Sequence, residues 1–105
     1  SGELLRDLIR CFRETVQART GELTDAARAH DFAAVTVLAH EFMGASASRG
    51  LFTLAGVYNK LEECGLERDP TMVALIDELI REVGIALRGL ELLSLPADLT
   101  ATRSD

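Results

Sequence analysis

Apolar residues recur along this chain at intervals of three and four, the spacing of one face of an α-helix. They nowhere alternate over the length of a strand. The first stripe, Leu4, Leu5, Leu8, Ile9, Phe12 and Val16, predicts a helix over about residues 3–19. Thr20-Gly21 then interrupts or weakens it, since glycine costs about 1 kcal/mol within a helix. A shorter helix is expected over residues 22–29, with Leu23, Ala26 and Ala27 inward. His30 lies in the next break, before Asp31, whose carboxylate can cap the helix that follows. That helix, residues 32–48, carries Val35, Leu38, Phe42 and Ala45 on its stripe and ends in a tight turn at Arg49-Gly50. Leu54, Val57, Tyr58 and Leu61 predict a helix over residues 51–64, closed by Gly65. Asp69 and Pro70 open the last one, because proline is tolerated at a first helical position. Val73, Ile76, Leu79, Ile80, Val83, Leu87 and Leu90 carry it to about Leu93. Short connections favour antiparallel neighbours. The expected fold is therefore all-α, an antiparallel four-helix bundle with an additional N-terminal helix. One domain spans residues 3–93, and 94–105 form a loose, polar tail containing Pro96.

Composition narrows the possible partners. A chain of 105 residues, 48% of them hydrophobic, supports one core. Its net charge of −6 disfavours nucleic acid and anionic membrane surfaces, both of which are bound through cations. No apolar run approaches the roughly 18–20 residues that span a bilayer, and no basic, apolar leader is evident. Ser1-Gly2 at the start fits a chain cut from something longer. Cys11 and Cys64 lie far apart in no metal-ligand spacing. They read as small buried apolar residues of a protein in a reducing cytoplasm. A zinc site built from His30, His40 and the two cysteines has no spacing to support it.

The chemistry concentrates in His40–Gly50, HEFMGASASRG. His40 lies two residues from both Leu38 and Phe42, roughly 200° around the helix from the core stripe, and so faces outward. Gly44 and Ala47 share that face, with Met43 beside them. Glycine weakens a helix, but here it leaves the imidazole unshielded for an approaching macromolecule. A neutral imidazole near its pKa at cellular pH is a nucleophile.

The stretch LAHEFMGASASRGLFTLAGVYNKLEECG resembles the core of a histidine-containing phosphotransfer (HPt) domain, the carrier module of two-component phosphorelays. His40 matches the phosphorylated histidine, Gly44 the glycine that follows it, Ala45, Ser46 and Ala47 the small residues, and Gly50 the turn. Leu54, Tyr58 and Leu61 match the buried positions of the next helix. The match needs no gap from Phe32 to Cys64, and helix order extends it over about residues 3–92. The resemblance implies a phosphocarrier that exchanges a phosphoryl group between His40 and the aspartate of a response-regulator receiver domain. The receiver supplies Mg²⁺, and the carrier needs no cofactor of its own. No nucleotide-binding loop is present, so kinase activity is not expected. The resemblance further implies a cytoplasmic monomer, set as the C-terminal module of a hybrid sensor kinase or standing alone.

Glu62 matches a position that often hydrogen-bonds the histidine ring, with Asn59 or Glu63 as alternatives if the helix is rotated. Met43 stands where the family usually has a lysine beside the phosphoryl oxygens. An exposed charge pair is worth about 0.2–1 kcal/mol, so its loss should slow transfer only a few-fold. Arg49 and Lys60 are the nearby cations, and with Met43, Ala47 and Asn59 they form the candidate docking face. The competing reading is a degenerate module that docks a partner through this face without phosphotransfer.

Overall fold

A computed structural model describes residues 2–93 of the chain. It contains four helices, α1 (Gly2–Arg28), α2 (Phe32–Ser48), α3 (Phe52–Glu67) and α4 (Met72–Leu93). Each packs on its neighbours in sequence, and α1 closes the ring against α4. The fold is the all-α, up-down bundle expected. The expected tail, residues 94–105, lies outside the described residues. No described helix is long and apolar enough to cross a membrane.

The first two predicted helices are one. α1 runs through Thr20-Gly21 without a break, so the additional N-terminal helix is the first half of a bundle helix. Glycine's cost of about 1 kcal/mol is small beside the burial of Leu23 and Ala27, which ties the second half of α1 to the core. Thr20 and Thr24 donate their hydroxyls to the Val16 and Thr20 carbonyls, one turn back in the same helix. The first turns of α1 are less well covered. Leu4, Leu5 and Leu8 remain 63%, 45% and 60% exposed, and Cys11 is exposed rather than buried.

The breaks between helices follow local chemistry. His30 closes α1 in the left-handed conformation at φ 55°, with the Asp31 amide reaching back to the Ala26 carbonyl. Asp31 then caps α2 by accepting from the Ala34 amide at 3.1 Å. Gly50, at φ 77°, makes the turn into α3, a conformation that glycine adopts without a Cβ clash. α3 does not stop at Gly65 but continues to Glu67, closed by Arg68 in the left-handed region. Gly65 serves another purpose. A Cβ there would overlap Thr36 Oγ1 and come within 3.0 Å of the Phe32 carbonyl oxygen. The glycine thus lets α3 lie directly against α2. Asp69 accepts from both the amide and the hydroxyl of Thr71 at the start of α4, which lowers its carboxyl below the usual range.

The core combines Leu23 and Ala27 of α1, Val35 and Ala39 of α2, Leu54, Val57, Tyr58 and Leu61 of α3, and Met72, Ile76, Leu79 and Val83 of α4. The predicted stripe of α3 is the buried one. In α4, Met72 takes the place expected for Val73, and Ile80 is 49% exposed. In α2 the buried face passes through Val35, Ala39 and Ser46, with Leu38 and Phe42 partly buried and Ala45 exposed. Small residues on this face let α2 and α3 approach closely.

Candidate functional site

α2 and α3 together build the surface around His40. The His40 side chain is 67% exposed, while Glu62, across the seam on α3, is only 18% exposed. His40 Nδ1 and Glu62 Oε2 are 2.7 Å apart. An ionised carboxylate can only accept, so Nδ1 carries the hydrogen and donates it. In the neutral ring the other nitrogen, Nε2, then keeps its lone pair. Glu62 directly follows Leu61, which is fully buried and anchors α3 in the core, so the carboxylate sits at the edge of the buried face.

The remaining predicted residues divide into those near His40 and those turned elsewhere. Gly44 follows one turn on, and a Cβ built there meets nothing within 4 Å, so no internal packing requires the glycine. Ala47 continues the exposed face by another turn. Met43 is partly buried and packs against the core cluster. Asn59 shares the Glu62 side of α3 and its Nδ2 donates to Glu63 Oε1 at 3.4 Å. It is Glu62, and neither Asn59 nor Glu63, that reaches the ring.

Arg49 and Lys60 do not join this face. The Arg49 guanidinium lies 5.3 Å from the centroid of Phe12 on α1 and donates to the Ala45 carbonyl. Lys60 Nζ lies 3.6 Å from Glu78 on α4. Lys60 is two residues from Glu62, roughly 200° around α3, so it belongs to the opposite flank. α2 contains no lysine or arginine at all. His40 therefore has a carboxylate beside it and no cation from α2 or α3. No group of three or more His, Cys, Asp or Glu side chains among the described residues is placed to hold a metal ion.

The site is thus a solvent-facing imidazole on a bundle helix, held at Nδ1 by a carboxylate of the facing helix and followed one turn later by glycine. The family model described as "Hpt domain" matches residues 7–86. The chain belongs to the Hpt domain family. No curated protein and no solved structure matches it significantly. Hpt domains are phosphocarriers of His-Asp phosphorelays, not enzymes in themselves, and their counterparts are receiver domains. The matched region of this Hpt domain takes in α2, α3 and most of α1 and α4, and so the whole surface around His40.

Sequence reasoning missed the burial of Ser46 and the partners that Phe42 meets across helices. Ser46 reads as a small residue near the turn, yet it is buried at 7% exposure. Phe42 meets Tyr58 edge-on at 5.6 Å and carries the Arg19 guanidinium over its ring. No feature of α2 alone signals the cation from α1. Burial pushes the Tyr58 hydroxyl up to about 12, with a hydrogen bond to Thr20 acting the other way. The Cys64 thiol is likewise raised, first by burial and then by the carboxylates of Asp69, Glu67 and Glu63.

Proposed function

We propose that His40 is the residue that carries the phosphoryl group, and that Nε2 is the atom that takes it. The observation that supports this most is the pairing of an exposed ring with a part-buried carboxylate: Glu62 occupies Nδ1 and leaves Nε2 facing solvent. The Nε2 lone pair attacks the phosphorus of an aspartyl phosphate in a receiver domain. The N–P bond forms as the P–O bond to the aspartate breaks, and the aspartate leaves as a carboxylate. The Nδ1 hydrogen stays between the ring and Glu62, which offsets the positive charge that develops on the ring. The reverse sequence returns the group to the same or another receiver. Positioning and charge stabilisation do most of the work in such transfers. The receiver contributes Mg²⁺ and its acidic pocket. Gly44 and Ala47 leave room for it on α2, and Met43 and Asn59 flank the point of contact.

The test is direct. Incubation with a phosphorylated receiver domain should place acid-labile, base-stable label on the chain, and His40→Ala should remove it while leaving helicity and melting unchanged. Equal label on His40→Ala would exclude His40 as carrier. One observation favours a second reading, docking without transfer: no cation of α2 or α3 stands beside His40 to meet a phosphoryl group. Receiver binding with no label on the wild-type chain would select that reading.

A further inference from the structure

On the flank of α2 away from His40, all four helices line an open-mouthed cavity of about 290 Å³. Phe12, Val16, Phe42, Leu54, Tyr58 and Leu87 form much of its wall. A dry cavity of about 150 Å³ lined by such side chains takes up benzene, so this one has space for roughly two fused rings. Its polar features are few. Ser46 lines it and is largely buried. The exposed residues Arg19, Arg49 and Glu41 stand at the mouth.

The two arginines give the mouth its character. Arg19 lies 5.7 Å from the Phe42 ring centroid and Arg49 lies 5.3 Å from that of Phe12, so both guanidiniums rest on cavity walls. Neither is ion-paired with a carboxylate among the described residues, although the chain as a whole carries a charge of −6. A guanidinium presents a planar fork of donors that matches a carboxylate. Glu41 at the same mouth opposes a second negative charge. Pockets between the helices of a bundle, apolar with a few convergent polar groups, are common ligand sites.

We propose that this cavity binds an aromatic monocarboxylate of about two fused rings, its apolar body among Phe12, Phe42, Tyr58 and Leu87 and its carboxylate between Arg19 and Arg49. The ligand would tie α1 to α2 and leave the His40 face free, because His40, Gly44 and Ala47 lie on the other side of α2. The site stands apart from the phosphoryl chemistry, and its test needs no receiver.

2-Naphthoate is the probe, titrated into the full chain while amide and methyl resonances are followed. The expected result is saturable binding at or below about 1 mM, with shifts confined to the cavity-lining residues and a rise in melting temperature. Neutral 2-naphthylmethanol, of the same shape, should bind about tenfold more weakly, as should 2-naphthoate to Arg19→Gln or Arg49→Gln. Ala86→Leu should fill the space and abolish binding. No saturation by about 10 mM, shifts centred elsewhere, or equal affinity for the neutral analogue would each overturn the proposal. The comparison of the two ligands needs no variant, so a misfolded Ala86→Leu would leave the test intact.

Discussion

The two ring nitrogens of His40 stand in different surroundings, and neighbouring residues act on one or the other. Glu62 acts on Nδ1, and Gly44, one turn on, places no Cβ on the same exposed face of α2. Because an added Cβ at Gly44 meets nothing, Gly44→Ala should raise stability by about 0.5–1 kcal/mol, seen as a higher denaturation midpoint. Gly44→Leu should keep that stability yet slow phosphoryl transfer at least tenfold, since its side chain would cover the ring (a tenfold loss is about 1.4 kcal/mol). Transfer at the wild-type rate would remove the case for Gly44 as the access residue. Met43→Lys should raise the rate by no more than about fivefold, the worth of an exposed charge pair. A hundredfold rise would mean that the site is far more demanding of a cation than its exposure suggests. His40 is legible in the sequence because its side of α2 follows from period alone. Arg49 and Lys60 are not, because long side chains reach partners on α1 and α4 that no local pattern identifies.

At the scale of elements, glycines with the same intrinsic cost have opposite roles. Gly21, within α1, has nothing near its missing Cβ, whereas Gly65 has Thr36 and the Phe32 carbonyl against it. Gly21→Ala should therefore stabilise the fold by about 1 kcal/mol. Gly65→Ala should destabilise it by about 1–3 kcal/mol, because α3 must move off α2 or Thr36 must give up its hydroxyl bond to the Phe32 carbonyl. Chemical denaturation of both variants checks the pair, and equal shifts would mean that the α2–α3 contact is looser than described. The helical periods were readable for all four elements, down to the buried residues of α3. Gly65 misled as a helix end since sequence cannot distinguish a glycine that ends a helix from one that admits a neighbour. Thr20-Gly21 misled for a related reason: the burial of Leu23 and Ala27 outweighs a local weakness.

Across the whole molecule, Tyr58 joins core, cavity and α1. It is the only tyrosine, so its ionisation can be followed by tyrosinate absorbance alone. Its pKa rises from 10.0 to about 12 on burial. The folded protein thus holds the phenolic proton more tightly than the unfolded chain does. The corresponding stability is fully present below pH 10.0 and is lost as pH rises toward about 12. Stability should fall in that window by about 1.4 kcal/mol per pH unit from this group. Tyr58→Phe should remove that component of the pH dependence. Tyrosinate appearing in the folded protein with a midpoint near 10 would show that the ring is not sequestered. The cavity beside Tyr58 belongs to this scale as well, since its lining comes from all four helices.

Period and capping chemistry by themselves determined that the chain is helical, where most helices start and that His40 faces outward, while the resemblance to the Hpt family pointed to Glu62. The first three are consequences of local geometry, repeated every 3.6 residues. Tertiary structure alone decided that α1 is continuous, that Glu62 reaches Nδ1, that Arg49 and Lys60 turn away from His40, and that a cavity opens behind α2. Each of those depends on how far apart two helices sit and which side chains meet between them. A backbone without a Cβ at Gly65 and a ring of four helices set those distances, and they are not encoded in any one segment.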